Sequence, residues 1–161
     1  MKLRIKNTLL TLKIIGWVQI IGGITGLLLV CHSLLQTEII NGPTLLIFLI
    51  GLSLFIFSVY AGNILLSKIN KKRGIVLTVI NQILQLFQWS MLGYSFNYSS
   101  GIELMIGLKA HSVNFNFGLV LSTFSMSINS SSQFYFKINL IPILAIIVLV
   151  NIFSEISGSH K

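Results

Sequence analysis

Long apolar runs separated by short polar interruptions dominate this chain, and their lengths predict helices that cross a membrane. A helix rises 1.5 Å per residue, so about 20 mostly apolar residues cross the hydrocarbon of a bilayer. Four segments qualify: 12 to 31 (LKIIGWVQIIGGITGLLLVC), 44 to 67, 74 to 96 and 138 to 156. The second, TLLIFLIGLSLFIFSVYAGNILLS, carries no charge, and the fourth has Pro142 in its first turn, where a missing N–H costs least. KLRIK followed by an apolar run has the polarity of a signal peptide. The run exceeds the roughly 7 to 15 residues of a signal core and no small-x-small cleavage site follows, so it is expected to stay as a span.

Between the third and fourth spans the period changes from that of a helix to that of a strand. In VNFNFGLVL, Val113, Phe115, Phe117, Leu119 and Leu121 alternate with Asn114, Asn116, Gly118 and Val120. Alternation of this kind predicts a strand with one buried face. It resumes in the opposite phase at Phe124, Met126 and Ile128, which predicts a bulge or corner near Ser122 and Thr123. NSSSQ at 129 to 133 reads as a turn, FYFKINL at 134 to 140 alternates again, and GIELMIGL at 101 to 108 is a candidate first strand. The expected fold is therefore an all-α integral membrane protein. It is a single membrane domain over 1 to 161, a bundle of four transmembrane helices with a small antiparallel β-rich extracytoplasmic cap at 97 to 137, between the third and fourth. Three or four such strands are marginal alone, so the bundle or a second subunit is expected to cover their apolar face.

Composition agrees with a membrane location. Hydrophobic residues make up 54%, charged residues 9%, and mean hydropathy is +0.90, whereas a soluble domain is about 25% charged. Aspartate is absent and the acidic residues are Glu38, Glu103 and Glu155, which removes acidic calcium loops and magnesium-phosphate chemistry. The net charge of +8 comes from clusters beside the spans, as an orientation signal does, and nucleic acid is not an expected partner. Lys2, Arg4, Lys6 and Lys13 precede the first span and Lys68, Lys71, Lys72 and Arg73 fill the turn after the second, while the opposite side holds only Lys109 and Lys137. Both termini are thus expected in the cytoplasm. The Ile-, Asn- and Lys-rich usage suggests an AT-rich bacterial genome, hence the bacterial inner membrane. Cys31 is the single cysteine, so no intramolecular disulfide forms.

One stretch departs from the apolar pattern: NQILQLFQW at 81 to 89. Projected at 100° per residue, Asn81, Gln85 and Gln88 share a narrow arc with Thr78 and Ser95, and Gln82 borders it. Such a stripe cannot face lipid cheaply. Candidate partners in the other spans are Gln19, Asn63 and Asn151. Gly22 and Gly26, with Gly16 and Gly23, give the first span a surface for close helix approach, and Ser58 and Gly62 do the same in the second. Two functions follow as expectations. The first is a non-enzymatic multi-pass membrane subunit acting through self-association or association with another membrane protein. The second is a small oligomeric channel or transporter component with an amide-lined path for a neutral or weakly polar solute.

Catalytic signatures do not appear in the sequence. HExxH, CxxC, GxSxG and glycine-rich phosphate loops are absent. No ionisable residue lies near the middle of a span, which argues against a proton relay or voltage sensor. His32, Glu38, Glu103 and His111 fall on the outer side with Cys31 but lack the spacing of a metal site. No cofactor and no metal is expected. Trp89 reads as a packing residue within the third span, and Tyr94 and Tyr98 as an outer aromatic belt.

Overall fold

The computed structural model describes residues 7–67, 69–109, 112–118, 122–128 and 134–158. Helix α1 runs Thr8–Gln36 and begins at Asn7, whose side chain accepts from Leu10 N at 3.3 Å. Helix α2 runs Gly42–Leu66, with Asn41 accepting from Thr44 N at 2.9 Å and Pro43 in the first turn. The two pack closely through small residues. A Cβ on Gly16 would lie 3.3 Å from the Gly62 carbonyl and one on Gly26 would lie 2.1 Å from Phe55 Cε1. Gly22 differs, because a Cβ there would meet Gly101 N at 2.6 Å and Ser100 C at 2.7 Å. Gly22 is where α1 receives the sheet.

The third helix departs from expectation. Helix α3 covers Lys71–Leu84, 14 residues, a rise of about 21 Å against roughly 30 Å of hydrocarbon. The span expected over 74 to 96 is helical only in its first half and continues as strands β1 (Phe87–Met91) and β2 (Tyr94–Ser100). The cause is in the pattern: Phe87, Trp89, Tyr94, Phe96 and Tyr98 alternate with Gln88, Ser90, Ser95, Asn97 and Ser99. A helix would scatter these around its circumference, whereas strands separate them onto two faces. Leu92 (φ 52°) and Gly93 (φ 83°) form the two-residue hairpin turn, with both residues in the left-handed region that matches strand twist.

The remaining strands are β3 (Glu103–Lys109), β4 (Ser112–Gly118), β5 (Ser122–Ile128) and β6 (Tyr135–Asn139), followed directly by helix α4 (Leu140–Gly158). The strands expected near 101–108 and 134–140 are present as β3 and β6, and that expected over 113–121 is β4 as far as Gly118, its last three positions lying outside the described residues; in place of the bulge or corner expected near Ser122 and Thr123, these two residues begin a new strand, β5, in regular register with β2. The turn expected at 129–133 lies outside the described residues. The cap of three or four strands is thus a six-stranded sheet, order β4-β3-β6-β1-β2-β5, with every neighbouring pair antiparallel. Among the described residues, three of the four helices are long and apolar enough to cross a membrane: α1, α2 and α4.

The sheet cannot be flat. Its edge strands β4 and β5 are separated in sequence by residues 119–121. The four Cα steps from Gly118 to Ser122 span at most about 15 Å, while five strand spacings in a flat sheet cover about 24 Å. The sheet therefore curls, and Thr123 on β5 donates to Glu103 Oε1 on β3 at 2.5 Å although three strands lie between them. Gln88, Ser90, Ser99, Thr123, Glu103, Lys137 and Asn139 share that concave face by register. Phe87, Trp89, Met91, Phe136, Ile138 and Ile106 share the convex one.

Two apolar clusters hold the assembly together. Leu12, Leu65, Ile75, Leu149 and Ile152 join all four helices near the start of α1, the α2–α3 turn and the end of α4. Val30, Phe55 and Tyr98 join α1 and α2 to the convex side of β2, with Phe55 edge-on to Tyr98 at 5.4 Å and to Phe124 at 6.4 Å.

Candidate functional site

The amides are divided between two environments, one in which most polar atoms are paired and one in which several are not. In the lower part, Thr78 donates to Gln19 Oε1 at 3.2 Å, joining α3 to α1. Ser58 on α2 donates to the Gln19 carbonyl at 3.1 Å and accepts from Asn81 Nδ2 at 3.1 Å. With its own proton committed, Ser58 accepts from Ser100, 2.9 Å away. The Tyr98 hydroxyl lies 3.0 Å from both Asn81 Oδ1 and the Leu54 carbonyl. Ser100 N donates to Gln85 Oε1 at 2.9 Å, and the Ser122 hydroxyl donates to the Gly22 carbonyl. Gln19, Ser58, Thr78, Asn81 and Tyr98 are all buried. Hydrogen bonds of this kind between membrane helices contribute about 0.6 kcal/mol on average and up to about 1.7, so the network fixes which faces meet.

Above this network the concave face of the sheet is polar and incompletely paired. Gln88 is 2% exposed and Asn139 and Ser99 are 0%, yet Gln88 Nε2, Asn139 Nδ2, Ser99 Oγ and Asn97 Oδ1 have no partner among the described residues. Asn139 serves the fold with its other atom: Oδ1 accepts from Leu104 N at 3.1 Å and from Ile141 N at 3.2 Å, tying β3 to the first turn of α4. Among the described side chains, the charged ones on this face are Glu103 and Lys137, the latter with Nζ 5.3 Å from the Tyr135 ring centre. Lys137 has room because its partner is Gly107, where a Cβ would lie 2.5 Å from Lys137 Cγ. Below, a cavity of about 180 Å³ between α1, α3 and α4 is lined by Gln19, Gln82, Gln85 and Ser100 among apolar neighbours. Gln19 Nε2 and Gln85 Nε2 are likewise unpaired.

The expected residues therefore separate. Gln19, Thr78, Asn81, Gln82 and Gln85 come together at the centre of the bundle. Gln88 does not continue a helical stripe, because α3 has ended; it belongs to β1 and to the concave face. Asn63 is exposed, and Asn151 donates to the Ile147 carbonyl of its own helix at 2.8 Å, so neither joins the group. Trp89 is half-buried on the convex face, and Tyr98 is a network member instead of a belt residue. Ser99, Ser100, Asn97 and Asn139 escape a reading that treats 74 to 96 as helix. The alternation from Phe87 to Ser99 was the signal for Asn97 and Ser99, and that of 134 to 140 was the signal for Asn139. Cys31 is exposed, and among the described residues no three of His, Cys, Asp and Glu cluster; His111 lies outside the described residues.

No family model matches this chain, and no curated protein or solved structure shows a significant match to it.

Proposed function

We propose that this chain is a non-enzymatic multi-pass membrane protein whose curled sheet holds a small neutral or weakly polar solute, together with water, on its concave face. The observation that carries this reading is the set of unpaired buried atoms on Gln88, Asn97, Ser99 and Asn139. A buried polar atom without a partner costs about 1–3 kcal/mol, so a dry interior would cost several. Carboxamides and hydroxyls both donate and accept, which suits a neutral solute better than an ion. Ser58, Asn81, Tyr98 and Ser100 pair with one another where the lower end of β2 meets α2 and α3, so none of them extends the row of unpaired atoms downward, which favours a cup over a through-path within one copy. In this reading both termini and the turn before α3 lie in the cytoplasm of a bacterial cell, and the cup opens to the other side.

Association with further copies or with another membrane protein is the competing reading, and the amides support it less: the paired ones find their partners within one chain. Single cysteines at 88 and 97 in a Cys31→Ser background, reconstituted in vesicles, separate the two. The cup predicts labelling at both positions by a small neutral methanethiosulfonate, slowed by molar glycerol or urea. Absence of labelling at both, with disulfide crosslinks between copies, would reject the cup in favour of association.

A further inference from the structure

The sheet has the polarity of a membrane barrel and not of a soluble cap. Strands of transmembrane barrels place apolar residues outward and polar residues inward, and β1 and β6 follow that rule; β3 turns Ile106 outward but Met105 inward beside Asn139, and the outer faces of β2 and β5 are covered by α1 and α2. Phe87 is 42% exposed, Met91 44% and Ile106 38%, on the same face as Trp89, Phe136 and Ile138, while the buried positions carry Gln88, Ser90, Ser99 and Asn139. A water-facing sheet with its apolar side out would leave a continuous hydrophobic surface, which soluble proteins avoid.

The heights agree with immersion. Helices α1 and α2 have 29 and 25 residues, rising about 44 and 38 Å. The sheet stands beside their upper halves, since Ser122 bonds Gly22, a Cβ on Gly51 would touch Phe124, and Met126 shares a groove with Leu29 and Ile47. The other two helices reach the same height only by continuing as strand. The 14 residues of α3 and five of β1 rise about 21 and 17 Å, and the 19 residues of α4 and five of β6 about 28 and 17 Å.

The base of the sheet, at Gly22, lies nine residues above Lys13 and level with the end of α3. That is about 14 Å above Lys13 and about 21 Å above Lys71. A hydrocarbon layer of about 30 Å starting at either lysine therefore covers 9 to 16 Å of the sheet's roughly 17 Å. Exposed apolar side chains continue along α1 at this height, with Ile24 47%, Leu28 67% and Leu29 46% exposed.

We propose that the convex face of β1, β6 and β3, centred on Phe87, Trp89, Phe136 and Ile106, contacts lipid acyl chains directly, so that the sheet occupies the leaflet remote from the basic turn. Edge strand β5 is packed on α1 and α2 through Ser122 and Phe124, and the curl brings the other edge, β4, within one short connection of it. The occupant follows from continuity with the exposed sides of α1 and α2, and the inference does not depend on what the concave face binds.

The chain has two tryptophans, so Trp17→Phe leaves Trp89 as sole reporter. In vesicles of phosphatidylcholine brominated midway along the acyl chain, Trp89 emission is expected to be blue-shifted and quenched at least threefold, with little effect of aqueous iodide. Quenching by iodide without bromolipid quenching would place the face in water and overturn the proposal. Protection from both would show a second protein surface there and overturn it equally. If Trp17→Phe fails to assemble, Phe87→Trp with Trp89→Phe, in the presence of Trp17, is read as the difference from Trp89→Phe alone.

Discussion

Replacing Gly22 by alanine tests the seat of the sheet on α1. The added Cβ would lie 2.6 Å from Gly101 N, 2.7 Å from Ser100 C and 2.9 Å from Ser100 Oγ. The first two are backbone atoms and cannot rotate aside, so reaching ordinary contact near 3.4 Å moves the chain at Ser100 by about 0.8 Å. Overpacking of this kind costs about 1–3 kcal/mol. The shift also stretches the Ser122 bond to the Gly22 carbonyl and the Ser58–Ser100 bond, at about 0.6 kcal/mol each. Against this, alanine in a helix is about 1 kcal/mol better than glycine. The expected net is a loss of about 1–3 kcal/mol, a fall in midpoint of about 2 to 12 °C for a chain of this size, read by thermal unfolding in mild detergent. Gly42→Ala is the control, because no atom lies within 4 Å of its Cβ position and it begins a helix; it should be neutral or slightly stabilising. Gly22→Ala as stable as the parent would refute the close approach.

Asn81→Leu should cost about 1–2 kcal/mol by removing its bonds to Tyr98 and Ser58, whose hydroxyls keep the Leu54 carbonyl and the Gln19 carbonyl, while Asn63→Leu and Asn151→Leu stay within about 0.5 kcal/mol, measured by the same unfolding assay. Leu92→Asn should raise stability by about 1 kcal/mol, since Leu92 holds a positive φ that asparagine tolerates better; a loss would mean the turn is anchored by its leucine. Asn139→Leu removes the side-chain oxygen that accepts from Leu104 N and from Ile141 N in the first turn of α4 and should cost about 2 kcal/mol. Gln88→Leu removes an unpaired donor, so its unfolding midpoint should be unchanged or higher while solute protection of a cysteine at 97 is lost.

Much of this architecture was legible from periodicity. The first, second and fourth spans correspond to α1, α2 and α4 because long uncharged apolar runs admit few other solutions in a membrane. Gly16, Gly22, Gly23 and Gly26 pack closely, Gly22 against the sheet and the others against α2. The third span misled because Thr78, Asn81 and Gln85 are helical or cap the helix, and Gln88 fits the same arc by coincidence of a seven-residue separation. Beyond Leu84 the period is two, and aromatic residues satisfy a hydropathy window as well as aliphatic ones do. The six-stranded order could not be read locally, since β6 pairs with β1 across more than forty residues and nothing in either strand names the other. Nor could curvature be read, because it follows from short connections between strands that the sheet places far apart. The unpaired atoms on the concave face became visible only once the strands were registered.

In the proposed immersion, strands and helices share a single hydrophobic layer, with lipid outside the sheet and polar groups within. Nitroxides placed one at a time at 87 through 91 in a Cys31→Ser background, in lipid vesicles, test it by spin-label accessibility. The account predicts that oxygen, which partitions into lipid, relaxes the labels at 87, 89 and 91 and that those at 88 and 90 show low oxygen accessibility. Equal accessibility along the five positions, or strong relaxation of 87, 89 and 91 by a water-soluble nickel chelate, would contradict it.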